Sequence, residues 1–395
     1  MTFGMCLRRA ALLLAMCVLA ACSIHDRSRI AVPEKRVAAF HPVGVPPTIR
    51  TYGDAFDLDV DALIAEYRAA LRRFPKSDGL NILALSGGGP DGAFGAGVLA
   101  GWTQSGTRPE FDIVTGISTG AIIAPFAFLG PEYDQALRRF YTQTRTREIA
   151  RFRILGALID GGYVADSAPL AAAIERELTD EVIAAIGRRA AGGAELLIGT
   201  TNIDAERPII WDIGELAQLG TPEANQLIRN IVLASASIPI LFKPVPIQVT
   251  DGTEIREELH VDGGLTQEVF VYPLEVPMRR ILRETGFEGR RNTIWIIQNK
   301  SIWPNYEPQN TRLPRLVSRT VNLLIKSQTR GDIGRILALA KRDGFRVNGL
   351  VIPPDFDAEQ SELFDPVYMT KLYNLGFRHG ADRQSWYRKL EDLLR

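Results

Sequence analysis

Leu80-Asn81-Ile82-Leu83-Ala84-Leu85-Ser86-Gly87-Gly88-Gly89-Pro90-Asp91-Gly92 is followed by Phe111-Asp112-Ile113-Val114-Thr115-Gly116-Ile117-Ser118-Thr119-Gly120. The two stretches repeat one pattern: an apolar run, a tight glycine turn, then a run of small residues. Leu80 to Leu85 and Phe111 to Thr115 read as buried strands, and Gly92 to Trp102 and Thr119 to Leu129 as the helices after them. Strand–helix–strand–helix order implies a parallel sheet with helices on both faces. The expected fold class is therefore α/β, three layers with a mainly parallel central sheet.

The second turn carries chemistry. A serine hydroxyl is a weak nucleophile at neutral pH and needs a base and oxyanion donors. Gly116-Ile117-Ser118-Thr119-Gly120 has the G-x-S-x-G form, in which glycines remove side chains where strand and helix crowd. Ser118 would then stand exposed on a strained turn, with the Thr119 N–H and the helix dipole ready to hold negative charge. The first turn fits two uses. Gly87, Gly89 and Gly92 satisfy G-x-G-x-x-G, the dinucleotide fingerprint. That reading wants an acidic residue at the end of the second strand, but Glu110 and Asp112 lie at its beginning. Three consecutive glycines suit an oxyanion hole better, because backbone N–H groups turn inward only where no Cβ interferes.

The base has two candidates. His25 and His41 lie in a Pro-rich lead-in and His379 lies near the C-terminal end, which leaves His260 in His260-Val261-Asp262-Gly263-Gly264. Alone, Asp-Gly-Gly is an ordinary turn. A Ser-His-Asp triad through His260 is one option, although His260 and Asp262 would share a strand face about 7 Å apart. Asp262 as the base is the other.

G-G-G-x-x-G after one strand, G-x-S-x-G after the next and a later D-G-G together resemble the patatin-like phospholipase family. Ala234-Ser235-Ala236-Ser237-Ile238-Pro239-Ile240-Leu241-Phe242-Lys243-Pro244 resembles that family's A-S-x-x-x-P-x-x-F-x-P segment. The resemblance runs from about Leu80 to Val276. It implies a Ser118–Asp262 dyad without histidine, an oxyanion hole from Gly87, Gly88 and Gly89, and hydrolysis of phospholipid or other lipid acyl esters. No cofactor and no metal are implied. One departure stands out: Asp91 occupies a loop position where many members carry Lys or Arg. A carboxylate there would not assist an oxyanion and would instead cap the next helix. Asp91 also supports the competing expectation of a non-catalytic envelope protein with the same fold.

The chain has 395 residues, 46% apolar and 23% charged, with zero formal net charge. That composition is globular and gives no reason to expect a nucleic-acid partner. Arg8 and Arg9 precede an apolar stretch, Ala10 to Ala21, shorter than the roughly 20 residues a membrane span needs. Leu19-Ala20-Ala21-Cys22 resembles the bacterial lipoprotein cleavage box, which implies a lipidated Cys22 as first mature residue and a membrane anchor. Ser23 in place of Asp favours the outer membrane of the bacterial envelope. The plainer alternative is a secretory signal with a chance cysteine. Cys6 and Cys17 would leave with the signal, so no disulfide is expected. The domain reading is signal 1–21, tether 22–56, N-terminal helix 57–79 and acyl hydrolase domain 80–395. Leu313 to Ile325 and Asp332 to Lys341 read as separate helices. The sequence leaves the oligomeric state open.

Overall fold

The computed structural model describes residues 29–54, 60–73, 78–152, 163–308 and 311–387. Cys22 and the signal region lie outside the described residues. The strands are β1 (His41–Pro42), β2 (Arg50–Tyr52), β3 (Asn81–Leu85), β4 (Ile113–Ile117), β5 (Arg151–Phe152) and β6 (Ala165–Asp166). They continue with β7 (Glu195–Asn202), β8 (Arg207–Asp212), β9 (Val245–Thr250), β10 (Ile255–Asp262), β11 (Thr293–Gln298) and β12 (Arg346–Val351). A 10-stranded sheet runs β1-β9-β10-β7-β4-β3-β11-β12, with β8 on β7 and β2 on β8. From β7 to β12 the neighbours are parallel, as the strand–helix alternation implies. The β10, β9 and β8 additions are antiparallel.

Side chains along β3 alternate between two cores. Leu83 and Leu85 join one, Ile82 and Ala84 the other. Helices Gly92–Gln104, Thr119–Leu129 and Pro366–Ala381 cover the first face. Helix Met278–Thr285 and the second half of helix Leu313–Asp343 cover the second.

Helices Gly92–Gln104 and Pro366–Ala381 touch backbone to backbone. A Cβ on Gly97 would lie 2.0 Å from Tyr373 O, and one on Gly101 1.9 Å from Phe377 O. From the other side, a Cβ on Gly376 would lie 2.1 Å from Phe94 O, and one on Gly380 2.1 Å from Val98 O. Each helix therefore presents a pair of glycines one turn apart to its partner.

Two expectations need correction. Residues 29–54 are not a tether: β1 pairs with β9, β2 pairs with β8, and Phe40, Val45 and Ile49 are buried. Pro33, Pro46 and Pro47 open short 3-10 turns and Pro42 lies in β1, so the prolines do not keep the apolar residues off the sheet. Leu313 to Asp343 is one helix, not two. Gly331 and Gly334 sit inside it facing open space, a cost of about 1 kcal/mol each that the long helix absorbs. The first helix is described as Val60–Arg73, inside the broader expected span.

Candidate active site

Two strand ends meet on one edge of β7. β4 runs alongside it until Ile117 pairs with Gly199. β10 arrives from the opposite direction, and its last pair is Asp262 with Thr200. The residue after Ile117 and the residue ending β10 thus face each other, although they are 144 positions apart in the chain. Ser118 Oγ donates to Asp262 Oδ2 at 2.7 Å.

Several contacts fix that geometry. Ser118 sits at φ 53 and ψ −121, a left-handed backbone that a non-glycine residue adopts only when its surroundings impose it. Its N–H donates to Ser235 Oγ at 3.0 Å, and Ser235 Oγ donates to Gly199 O at 2.7 Å. The Asp262 N–H donates to Ser237 O at 3.0 Å. The Ala234–Ser237 segment therefore wedges both strand ends against β7, a role its sequence pattern alone does not disclose. Gly120 is obligatory in the crowding: a Cβ there would lie 2.3 Å from Leu85 O.

Asp262 Oδ1 accepts from the Gly264 N–H at 2.8 Å. Burial pushes the Asp262 carboxyl up to about 6, against the opposing effects of the Ser118 and Gly264 hydrogen bonds and the Lys300 charge. It is thus ionised at neutral pH and more basic than an ordinary aspartate.

His260 does not join this pair. It is fully buried, with Nδ1 3.0 Å from Thr200 Oγ1 and Nε2 3.3 Å from Glu258 Oε2. Glu258 in turn holds Arg50 in a buried ion pair. Both imidazole nitrogens are occupied, and burial holds the ring below its ordinary pKa. The triad alternative has no geometric support.

The glycine loop departs from expectation at one amide. Gly87 N–H donates to Glu268 O at 3.1 Å and so is engaged. Among the described residues, the amides of Gly88, Gly89 and Thr119 make no hydrogen bond. Gly88 has φ 158, and a Cβ on it would lie 2.3 Å from Asn299 O. Asp91 does not cap the following helix; Tyr368 Oη donates to its Oδ1 at 2.7 Å. Burial pushes the Asp91 carboxyl up to about 6. Asp112 lies at the opposite end of the sheet, accepting from Asn81 N–H at 2.7 Å, which leaves the dinucleotide reading without its ribose ligand.

Two residues near the pair went unread in the sequence. Glu268, 5% exposed, lies between the glycine loop and the Asp-Gly-Gly turn. Lys300, half-buried just past β11, lies close enough to lower the pKa values of Asp91, Asp262 and Glu268. Neither belongs to a recognisable motif, so only the fold brings them forward.

An apolar pocket opens beside Ser118, lined among others by Ile122, Leu170, Leu241, Phe242 and Phe364. Two other cavities, one beside Arg50 and Asp212 and one beside Trp102 and Trp386, contact neither Ser118 nor Asp262.

A mainly parallel α/β sheet carrying a buried serine–carboxylate pair and open glycine-loop amides defines the chain as a patatin-type α/β protein. Residues 83–274 match the sequence model of the patatin-like phospholipases, a domain match that supports lipid acyl hydrolase activity in general. Among solved structures, VipD from Legionella pneumophila is 10% identical, with 78% of this chain and 67% of that chain covered at a TM-score of 0.38. No curated protein matches significantly.

Proposed function

We propose that the protein is a serine acyl hydrolase of lipid esters, phospholipase A-like, in which Ser118 is the nucleophile and Asp262 the base. The observation that carries this reading is the direct 2.7 Å contact between Ser118 Oγ and Asp262 Oδ2. Ser118 Oγ attacks the ester carbonyl as its proton passes to Asp262. The developing oxyanion takes hydrogen bonds from the amides of Gly88, Gly89 and Thr119 at the start of a helix. Collapse expels the alcohol, protonated by Asp262. Water then attacks the acyl-enzyme as its proton passes to Asp262, the acyl–Oγ bond breaks as Asp262 returns that proton to Ser118 Oγ, and the fatty acid leaves. The apolar pocket beside Ser118 suits the acyl chain.

The same reading anchors the protein in the bacterial envelope through lipids on Cys22, in the outer membrane. No described helix is long and apolar enough to cross a membrane. Labelled fatty acid should enter the native protein but not Cys22→Ala, and that variant should leave the membrane fraction.

Turnover of a p-nitrophenyl acyl ester tests the chemistry. Ser118→Ala and Asp262→Asn should each cut it by at least about a thousandfold while the fold persists. A fluorophosphonate probe should label the native protein and not Ser118→Ala. Native protein that neither turns over ester nor takes the probe would favour a non-catalytic envelope protein, the role to which Asp91 had pointed.

A further inference from the structure

Glu268 is the least expected group beside the reacting pair. A Cβ placed on Gly87 would lie 2.7 Å from Glu268 Oε2 and 3.3 Å from Ser118 Cβ. A Cβ placed on Gly264 would lie 2.8 Å from Glu268 Oε1 and 3.0 Å from Asp262 Oδ1. The carboxyl thus fills the space left open by one glycine of the first motif and one of the last. It borders both Ser118 and Asp262.

Its backbone is fully tied. The Glu268 N–H donates to Asp332 Oδ2 at 2.7 Å, and its carbonyl accepts from Gly87. Its side chain is not: among the described residues no hydrogen bond or ion pair reaches the carboxyl. A carboxylate without a partner is not stable in such a place, with a second carboxylate beside it. We propose that Glu268 is held as a neutral acid in the working enzyme, and that loss of its proton shuts the reaction down at alkaline pH. This rests on the Ser118–Asp262 reading above.

The charged groups facing Glu268 come from three elements. Asp262 ends β10, Asp332 lies on helix Leu313–Asp343 with Arg335 as its partner, and Lys300 follows β11. Burial is the largest influence; Asp262 and Asp332 act with it and Lys300 against it, and together they push Glu268 up to about 8. While neutral, Glu268 leaves Asp262 as the one negative charge at the nucleophile. Once ionised, it sets a second negative charge beside the place where the oxyanion must form. That opposes the transition state more than it opposes binding of a neutral ester, so kcat falls and KM holds.

The test is the pH profile of the native enzyme and its variants on a neutral ester. Above about pH 8 the native kcat should drop about tenfold per pH unit. Glu268→Gln, which keeps the size and removes the ionisation, should stay active and lose that alkaline decline. Retention of the decline at the native midpoint would overturn the proposal. A second measurement needs no turnover and uses Ser118→Ala protein carrying carboxyl-labelled glutamate. Infrared spectra should show a protonated glutamate at pH 7 that ionises near pH 8. Absence of that band at pH 7 overturns the proposal even where Glu268→Gln fails to fold. In the same spectra Asp262→Asn should move the ionisation to lower pH and Lys300→Met to higher pH. Activity surviving in Ser118→Ala would instead defeat the dyad, and the infrared titration would still report on Glu268.

Discussion

Asp262, the base in the proposed mechanism, carries a cost to the fold. Its carboxyl titrates at about 6, above its ordinary value of 3.8, chiefly because it is buried. The proposed reaction needs the carboxylate, so kcat/KM should fall about tenfold per pH unit below pH 6, as a pH–rate profile will read. The linkage to stability has the opposite sense. A carboxyl whose pKa is raised in the folded state favours folding when protonated, and that contribution is lost as pH rises from about 4 through 6. Asp262→Asn should therefore melt above the native protein at pH 8, though it is inactive. Comparing thermal melts at pH 5 and pH 8 checks this, since the gap should widen at the higher pH. His260 works the other way. It ties Thr200 to Glu258 and Arg50, so His260→Ala should lose about 2–4 kcal/mol of stability in denaturant unfolding. Its ester turnover per folded molecule should hardly change; a fall matching Ser118→Ala would reinstate the triad.

The serine elbow and the glycine loop are built from places where a Cβ has no room. Gly120→Ala would force a methyl to 2.3 Å from Leu85 O and should cost several kcal/mol in unfolding experiments. Ile240 is the contrary case. It holds φ 72 as a β-branched residue and is 71% exposed, so nothing packs tightly enough around it to explain its identity by burial. Ile240→Gly should relieve backbone strain and leave stability unchanged or higher by about 1 kcal/mol in a urea melt. The elbow, the loop and the Asp-Gly-Gly turn were legible in the sequence because each signature is local: an apolar run, then glycines. Their meeting was not. It depends on β4 and β10 sharing one edge of β7, with Gly199 and Thr200 as successive partners. No short stretch encodes that register. The role of Gly87 was misjudged for the same reason, since its amide is engaged by Glu268 from a distant part of the chain.

The molecule as a whole extends well beyond the segment that the family pattern describes. Residues 29–54 add β1 and β2 to the sheet, an outcome hidden by the prolines around Phe40 and Ile49. On the other side, helix Pro366–Ala381 lies outside the matched residues 83–274, yet it backs the helix that follows the glycine loop and sends Tyr368 to Asp91. Its sequence showed a helix, but not that Gly376 and Gly380 would meet Gly97 and Gly101. Gly380→Val should therefore be far more damaging than a typical surface change, with most of the protein insoluble on expression.

That pair of helices has a consequence for how the chain is made. Synthesis runs from the N-terminus, so a growing polypeptide contains Ser118 and Asp262 long before it contains Gly376 and Gly380. Until those late glycines emerge, the helix behind the first loop lacks the neighbour its own glycines are shaped for, and the loop amides have no rigid setting. A chain built this way completes the packing behind its glycine loop only near the close of its own translation.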